Sequence, residues 1–503
     1  MISLESVLKY KAEFRGSFID GTWRLSRRPS ASWEAISPAN LEWTLPSPSF
    51  SFEHVTEAVE AGRRAFKPWS RLGLHSRVVL VQRFGAELAK RADLIARTLS
   101  VETGKPLGES NSETDILQNK IASIIDHGLP LIKSHSLDVP GQGAGEIHYR
   151  PKGLLVIIGP FNLALSLPHG QIVASLLSGN TCLFKPSEKT PYSAQIYMEA
   201  AEAAGFPPGV LQLVQGRAEI GARLVRDTDV DGILATCSFD VGSHIQKELA
   251  EKPQRIVALQ MGAKNAALVL GDANPKMTVD ALINSAFMTS GQRCTALSRI
   301  YVQRSLMPEV VELFHERAKS LVVSHPFDED PMPFMGPLIS AAAKERFFRY
   351  TNIADGENAE VLMRAKSLEG RTKLARKPLP IGHYVSPSIH IVSKWDEKSA
   401  YQTHEVFGPD VFFCAVDSPE EAVSAANATG YGLACSVFGG SEDQFRSLSD
   451  DIEAGVVYWN RGTVGTSSRL PFGGWKKSGN HRPGGLFNIL STTQAQSRLK
   501  TMP

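Results

Sequence analysis

The sequence predicts an α/β protein with two doubly wound parallel-sheet domains and a small additional β element. Three observations lead there. Short apolar runs alternate with amphipathic stretches from Gly153 onward, and the alternation restarts after Gly262-Ala263-Lys264-Asn265. The chain has 503 residues, 42% of them hydrophobic, which is enough for large cores and too much for one compact unit.

Taken in order, Phe52 to Val101 carries helical periodicity and should pack on the first sheet, and Glu146-Ile-His-Tyr-Arg150 looks like an added strand. Strand-like runs follow at Gly153 to Gly159 and Asn180 to Lys185, with a helical segment between them. Thr190 to Gly205 reads as a helix, with Pro191 in its first turn and Gly205 at its end. Val210 to Gln215 is strand-like, a helix follows Gly216, and Gly232 to Thr236 is the next strand. A helix from Val241 and a strand at Arg255 to Gln260 complete the first series. The second begins with a strand at Ala266 to Leu270 and a helix from Val279 to Ser290. The chain shows no internal repeat.

Composition narrows the function. A formal net charge of +2 gives no field that would favour nucleic acid or an anionic membrane, so a small molecule is the expected partner. No apolar run reaches the roughly 20 residues of a membrane span, and the amino end lacks a secretory pattern. A soluble, cytoplasmic protein is expected.

The five cysteines are odd in number and widely spaced, which argues against a disulfide framework or a zinc site. Cys182, Cys414 and Cys435 sit in apolar runs as small buried hydrophobes. Cys294 lies instead in Ser290-Gly-Gln-Arg-Cys-Thr295, where glycine and an adjacent cation suggest an exposed thiol with a lowered pKa.

In doubly wound sheets, ligand groups project from the carboxyl ends of strands. Asn162 follows one such end, where its amide either donates to an oxyanion or simply forms a turn. Lys185 and Glu188 end the next strand within reach of ribose hydroxyls. Glu188 would repel a 2′-phosphate, which favours NAD over NADP. Thr236 to Gly242 leads from strand to helix and offers the Ser238 hydroxyl and helix amides to a pyrophosphate, although it is not a G-x-G-x-x-G fingerprint. No H-E-x-x-H spacing occurs, and no catalytic metal is expected.

The order of these motifs resembles the NAD(P)-dependent aldehyde dehydrogenase superfamily over nearly the whole chain. Gly291-Gln-Arg-Cys294 resembles its catalytic cysteine signature, and Gln260-Met-Gly-Ala-Lys-Asn265 its Glu-Leu-Gly-Gly-Lys-Asn element. Glu405-Val-Phe-Gly-Pro409 is similar to the segment whose glutamate holds the nicotinamide ribose, and Pro471-Phe-Gly-Gly474 to a late loop near the active site. Leu167 to Ile172, Phe206 to Gly216 and the stretch from Trp459 to Arg482 are similar to the branch that oxidises N-succinylglutamate 5-semialdehyde.

The resemblance implies an aldehyde dehydrogenase-like fold with an NAD-binding domain over 1–130 and 152–261 and a catalytic domain over 262–460. It also implies an oligomerisation element at 131–151 and 484–503, joining a homodimer or homotetramer. Cys294 would attack the aldehyde, and Asn162 with the Cys294 amide would hold the oxyanion. Lys185, Glu188, Ser238, Gly242, Glu405 and Phe407 would bind NAD. Arg461, His481 and Arg482 are candidate cations for a carboxylate-bearing semialdehyde, with surface solvation as the plain alternative.

Two departures stand out. Gln260 occupies the place of the family's general-base glutamate, and an amide cannot take a proton from the deacylating water. Losing a positioned base typically costs about 10²- to 10⁴-fold in its step. Cys237 replaces a glycine beside Ser238, where a side chain could crowd the cofactor. Phe161 and Ala263 are milder changes. Three outcomes follow from these residues: a dehydrogenase slowed at deacylation, a silent binding or assembly protein, or a variant that passes its acyl group to coenzyme A.

Overall fold

The computed structural model describes residues 3–370, 372–375 and 377–500. Its first sheet has seven strands. Five run parallel in the order Ile256–Gln260, Gly232–Thr236, Leu154–Ile158, Thr181–Lys185 and Leu211–Leu213, and a hairpin of Ser17–Ile19 and Thr22–Arg24 adds two antiparallel strands. Both faces are covered, so the strands are apolar on both sides. Leu155 and Ile157 join the core beneath helices Leu74–Lys90, Ser166–Ser178 and Pro191–Ala204, while Leu154 and Val156 face the core that holds Val55, Ile220 and Ile245. The two-residue period of a strand divides one apolar run between two cores.

The second sheet also has seven strands, in the order Glu360–Met363, Ser388–Val392, Asp410–Val416, Leu297–Gln303, Asn265–Val269, Ala434–Phe438 and Val456–Trp459. Only Glu360–Met363 runs antiparallel. The same alternation recurs: Ala267 and Val269 pack with Leu282 and Phe314, and Ala266 and Leu268 with Phe412 and Val423. Gly143–Pro151 forms a separate antiparallel sheet between His135–Val139 and Thr493–Lys500. The added strand expected at Glu146 to Arg150 lies inside it.

Element ends depart from the sequence reading where polar caps set them. The helix expected from Val241 starts at Phe239 because the Ser238 Oγ accepts the Val241 N–H at 3.4 Å. The helix expected over Val279 to Ser290 runs over Pro275–Phe287, with Asn274 accepting from the Met277 N–H at 3.1 Å. It stops there because Thr289 and Ser290 adopt left-handed conformations with φ of 55°. The stretch Phe52 to Val101 resolves into three helices, Glu53–Arg71, Leu74–Lys90 and Ala92–Thr103. No helix among the described residues is long and apolar enough to cross a membrane.

Candidate active site

In the first sheet the chain leaves Leu154–Ile158 for Thr181–Lys185 on one side, and Gly232–Thr236 lies on the other. The strand order therefore reverses at this point, and the loops after the carboxyl ends diverge to leave a crevice. A cavity of about 260 Å³ lies there, with Phe161, Asn162, Cys237, Ser238, Gln260, Cys294, Glu405 and Phe407 on its wall. A second cavity, of about 200 Å³, also reaches Cys294, Gln260 and Thr236. Cys294 and Gln260 thus stand on a wall common to both.

Each residue of the segment before Cys294 holds its loop in place. The Ser290 Oγ donates to the Gly336 carbonyl at 2.7 Å, and the Gln292 Oε1 accepts the Ile339 N–H at 2.9 Å. Gly291 has φ of 70°, and a Cβ there would sit 2.2 Å from the Gly408 carbonyl oxygen, so glycine is required twice over. Downstream, the Asn265 Nδ2 donates to the carbonyls of Cys294 and Ala296, both at 2.8 Å, while its Oδ1 accepts the Ala434 N–H at 3.0 Å. One buried amide therefore ties the Cys294 loop to the start of strand Ala434–Phe438 in the second sheet.

The expected exposed, acidified thiol is not what the structure contains. Cys294 is 9% exposed, and burial pushes its thiol up to about 12, reinforced by the Glu405 carboxylate. Arg293 and the backbone N–H groups of Cys294 and Thr295 pull in the other direction, but less strongly. The Arg293 guanidinium is turned to Glu109 at 2.8 Å and to the Thr289 hydroxyl at 2.7 Å. Adjacency in sequence does not make it a partner for the sulfur.

Asn162 is 4% exposed and donates through Nδ2 to the Gln292 carbonyl at 2.8 Å, so it is anchored to the nucleophile loop. Its own loop is held by a buried ion pair that sequence reasoning missed. Lys105 donates to the Glu113 carboxylate and, at 3.3 Å, to the Asn162 carbonyl. Glu113 accepts the backbone N–H groups of Leu165 and Ser166 at 2.9 and 3.0 Å. Lysine and glutamate on a helical stretch ordinarily signal a solvated face; only the packing brings them under the Asn162 loop.

On the crevice side, Glu405 accepts the Ala263 N–H at 2.9 Å, and burial raises its carboxyl to about 7. Gly262 gives it room, since a Cβ there would lie 2.2 Å from a Glu405 oxygen. Phe407 takes a left-handed conformation, with φ of 56°, and packs edge-on against Phe161 with ring centroids 6.0 Å apart. Lys185 is buried and lies 4.0 Å from the half-exposed Glu188 carboxylate. Gly242 lies in the first turns of its helix, where a Cβ would meet the Met261 sulfur at 2.3 Å. Its absence of a side chain serves the packing of helix on strand. Burial pushes the Cys237 thiol up to about 12, and its N–H donates to the Gln260 carbonyl at 3.0 Å.

These groups suit a dinucleotide: a helix N-terminus for a pyrophosphate, carboxylates for ribose hydroxyls, and two aromatic rings beside the nucleophile. Gln260 is 2% exposed. Its Nε2 makes a bond of 3.3 Å to the Met261 carbonyl, and its Oε1 has no protein partner.

In the second cavity the cations differ from those expected. Arg461, His481 and Arg482 are not on its wall, and the Arg482 guanidinium donates to the Gly474 carbonyl at 2.9 Å. Lys120 and Arg293 are there instead. Lys120 escaped notice because helix Leu107–Ser123 carries so many polar residues that no single one stands out.

A buried cysteine between a switch-point crevice and a second cavity is the arrangement of an enzyme of aldehyde dehydrogenase architecture. The chain belongs to the aldehyde dehydrogenase family, which it matches over residues 23–497. It is 37% identical over 475 residues to an N-succinylglutamate 5-semialdehyde dehydrogenase of Klebsiella pneumoniae subsp. pneumoniae, covering 93% of this chain and 92% of that one. A protein of the same description from Novosphingobium aromaticivorans is 37% identical over 436 residues, covering 86% and 89%. Among solved structures, HpcC from Thermus thermophilus superposes with a TM-score of 0.92 at 28% identity, covering 99% of this chain and 96% of that one. Betaine aldehyde dehydrogenase from Staphylococcus aureus, in complex with NAD+, gives 0.91 at 26% identity, covering 98% and 97%.

Proposed function

We propose that this protein catalyses NAD-dependent oxidation of a carboxylate-bearing semialdehyde, with N-succinylglutamate 5-semialdehyde as the leading candidate. The observation that carries this reading is Cys294 on the wall shared by the two cavities, one suited to the cofactor and the other containing Lys120. The names of the similar proteins support the same substrate.

In this mechanism the Cys294 sulfur attacks the aldehyde carbon that enters from the second cavity. Asn162 has one of its two N–H bonds committed to Gln292, and the other, with the Cys294 backbone N–H, would hold the oxyanion. The buried thiol must first lose its proton. Glu405 is the carboxyl on the crevice wall with Cys294 and titrates near neutrality, so it suits the role of acceptor. Lys185, Glu188, Ser238, Gly242, Glu405 and Phe407 would hold NAD, which would supply the hydride acceptor. Water then releases the acid from the thioester, slowly, because Gln260 offers it no base.

The unpartnered Gln260 favours a second reading, in which the acyl group passes to coenzyme A or the chain is silent and serves as a binding or assembly protein. Stopped-flow NADH absorbance with N-succinylglutamate 5-semialdehyde tests these together. A burst of one equivalent per Cys294 supports oxidation with slow release. Acceleration by coenzyme A selects acyl transfer, and no burst, with no thermal shift by NAD, selects the silent protein.

The remaining parts of the proposal are spatial. Residues 1–130 and 152–261 form the cofactor domain and 262–460 the catalytic domain. The three-stranded sheet with exposed outer strands, within 131–151 and 484–503, joins copies into a homodimer or homotetramer. A cytoplasmic location fits a small-molecule oxidation of this kind.

A further inference from the structure

Two ion pairs and one further cation meet around the second cavity, and their charges do not cancel. Glu109 is paired with Arg293 at 2.8 Å, and Glu113 with Lys105. That leaves the Lys120 ammonium, which lines the cavity and spends one donor on the Ser166 carbonyl. An ammonium has three donors, so two remain for a ligand.

The space beside this ammonium is shaped by Gly170. A Cβ on Gly170 would stand 3.6 Å from the Asn488 Nδ2 and 3.9 Å from the Lys120 Nζ, which means that both nitrogens border the same small volume. Asn488 is 1% exposed and lines the cavity, as does Gln171 at 2%. The Asn488 Oδ1 and the Gln171 Oε1 have no hydrogen-bond partner in the protein. These oxygens only accept, so a carboxylate in this space would be met by the donor side of the Asn488 amide, its Nδ2.

We infer that the part of the second cavity around Gly170 is a carboxylate subsite, in which Lys120 and the Asn488 Nδ2 bind the acid group of the substrate remote from its aldehyde, in space that Gly170 keeps open. This rests on the proposed oxidation of a carboxylate-bearing aldehyde, and it names the residues that would select that class. Lys120 is a specificity residue here and takes no part in bond making.

The test uses glutarate as an unreactive probe, so that its result does not depend on turnover. Binding is measured by calorimetry on the full-length protein, and through protection of Cys294 from iodoacetamide. In Lys120→Met, glutarate should bind about 10- to 100-fold more weakly, the usual effect of losing a hydrogen bond to a charged group. Gly170→Ala is the control for folding. Its methyl makes no contact closer than 3.6 Å and sits within a helix, so the protein should remain folded while glutarate affinity falls.

A second measurement compares first-turnover NADH formation with 5-oxopentanoate and with pentanal. Lys120→Met should lower the apparent affinity for 5-oxopentanoate and leave that for pentanal unchanged. Equal glutarate binding in wild type and both variants, or none in any of them, overturns the subsite. Glutarate binding lost in the variants without NADH formation from either aldehyde keeps the subsite and overturns the oxidation reading instead.

Discussion

Gln260 and Cys294 line both cavities together, and the Gln260 Oε1 has no protein partner. An amide at that point can orient a water but cannot accept its proton. Gln260→Glu should therefore raise the steady-state rate relative to the burst by about 10²- to 10⁴-fold, the usual contribution of a positioned base. Stopped-flow and steady-state NADH measurements on both proteins decide it. Equal steady-state rates would show that deacylation does not depend on this position.

The thiol itself gives a pH prediction. Because burial pushes Cys294 up to about 12, the thiolate fraction of the cofactor-free protein should rise about tenfold per pH unit from pH 7 to 10. Its alkylation rate by iodoacetamide should follow without levelling off, and Cys294→Ala should abolish both alkylation at this site and NADH formation. A plateau near pH 8 would mean that the thiol is activated before any ligand binds.

Glu405 titrates near pH 7 because burial raises it. Its carboxylate is the better acceptor for a ribose hydroxyl, so the ionised form, which dominates above pH 7, should bind NAD more tightly. Between pH 8 and pH 6 NAD affinity should fall by about tenfold, the scale of a charge-assisted hydrogen bond. Glu405→Gln should bind NAD more weakly at pH 8 and show a flat profile. A wild-type profile that is already flat would place the ribose elsewhere.

Stability should depend on the buried Lys105–Glu113 pair that carries the Asn162 loop. Lys105→Met leaves a buried carboxylate without its cation, and breaking such a pair costs about 3–5 kcal/mol. Denaturant titration should show that loss. A change under about 1 kcal/mol would mean that Glu113 is neutral in the folded protein.

Asn265 links Cys294, Ala296 and Ala434 through three hydrogen bonds. Asn265→Ala should cost about 3 kcal/mol by leaving buried backbone groups unpaired. The Cys294 loop should loosen with it, seen as faster alkylation at fixed pH. Unchanged alkylation together with lowered stability would confine the role of Asn265 to folding.

The sequence by itself determined the two parallel sheets, because runs such as Leu154–Ile158 and Ala266 to Leu270 are apolar on both faces and only a doubly covered sheet can bury them. It also determined which residues cluster near Cys294. Asn162, Gln260, Cys294, Glu405 and Phe407, far apart in the chain, do line one crevice. Gln260 ends a strand and Asn162 follows one, while Cys294, Glu405 and Phe407 come from loops of the second series that pack against the same crevice.

Tertiary structure alone decided their electrostatics. The thiol expected to be acidified beside Arg293 is instead raised, because burial outweighs the guanidinium, which reaches Glu109 across the fold. Similarly, the cation of the second cavity is Lys120 from a polar helix, while Arg461, His481 and Arg482 lie elsewhere. A charge acts through space and through the medium around it, so its partner and its burial are set by packing between distant segments, which no local pattern encodes.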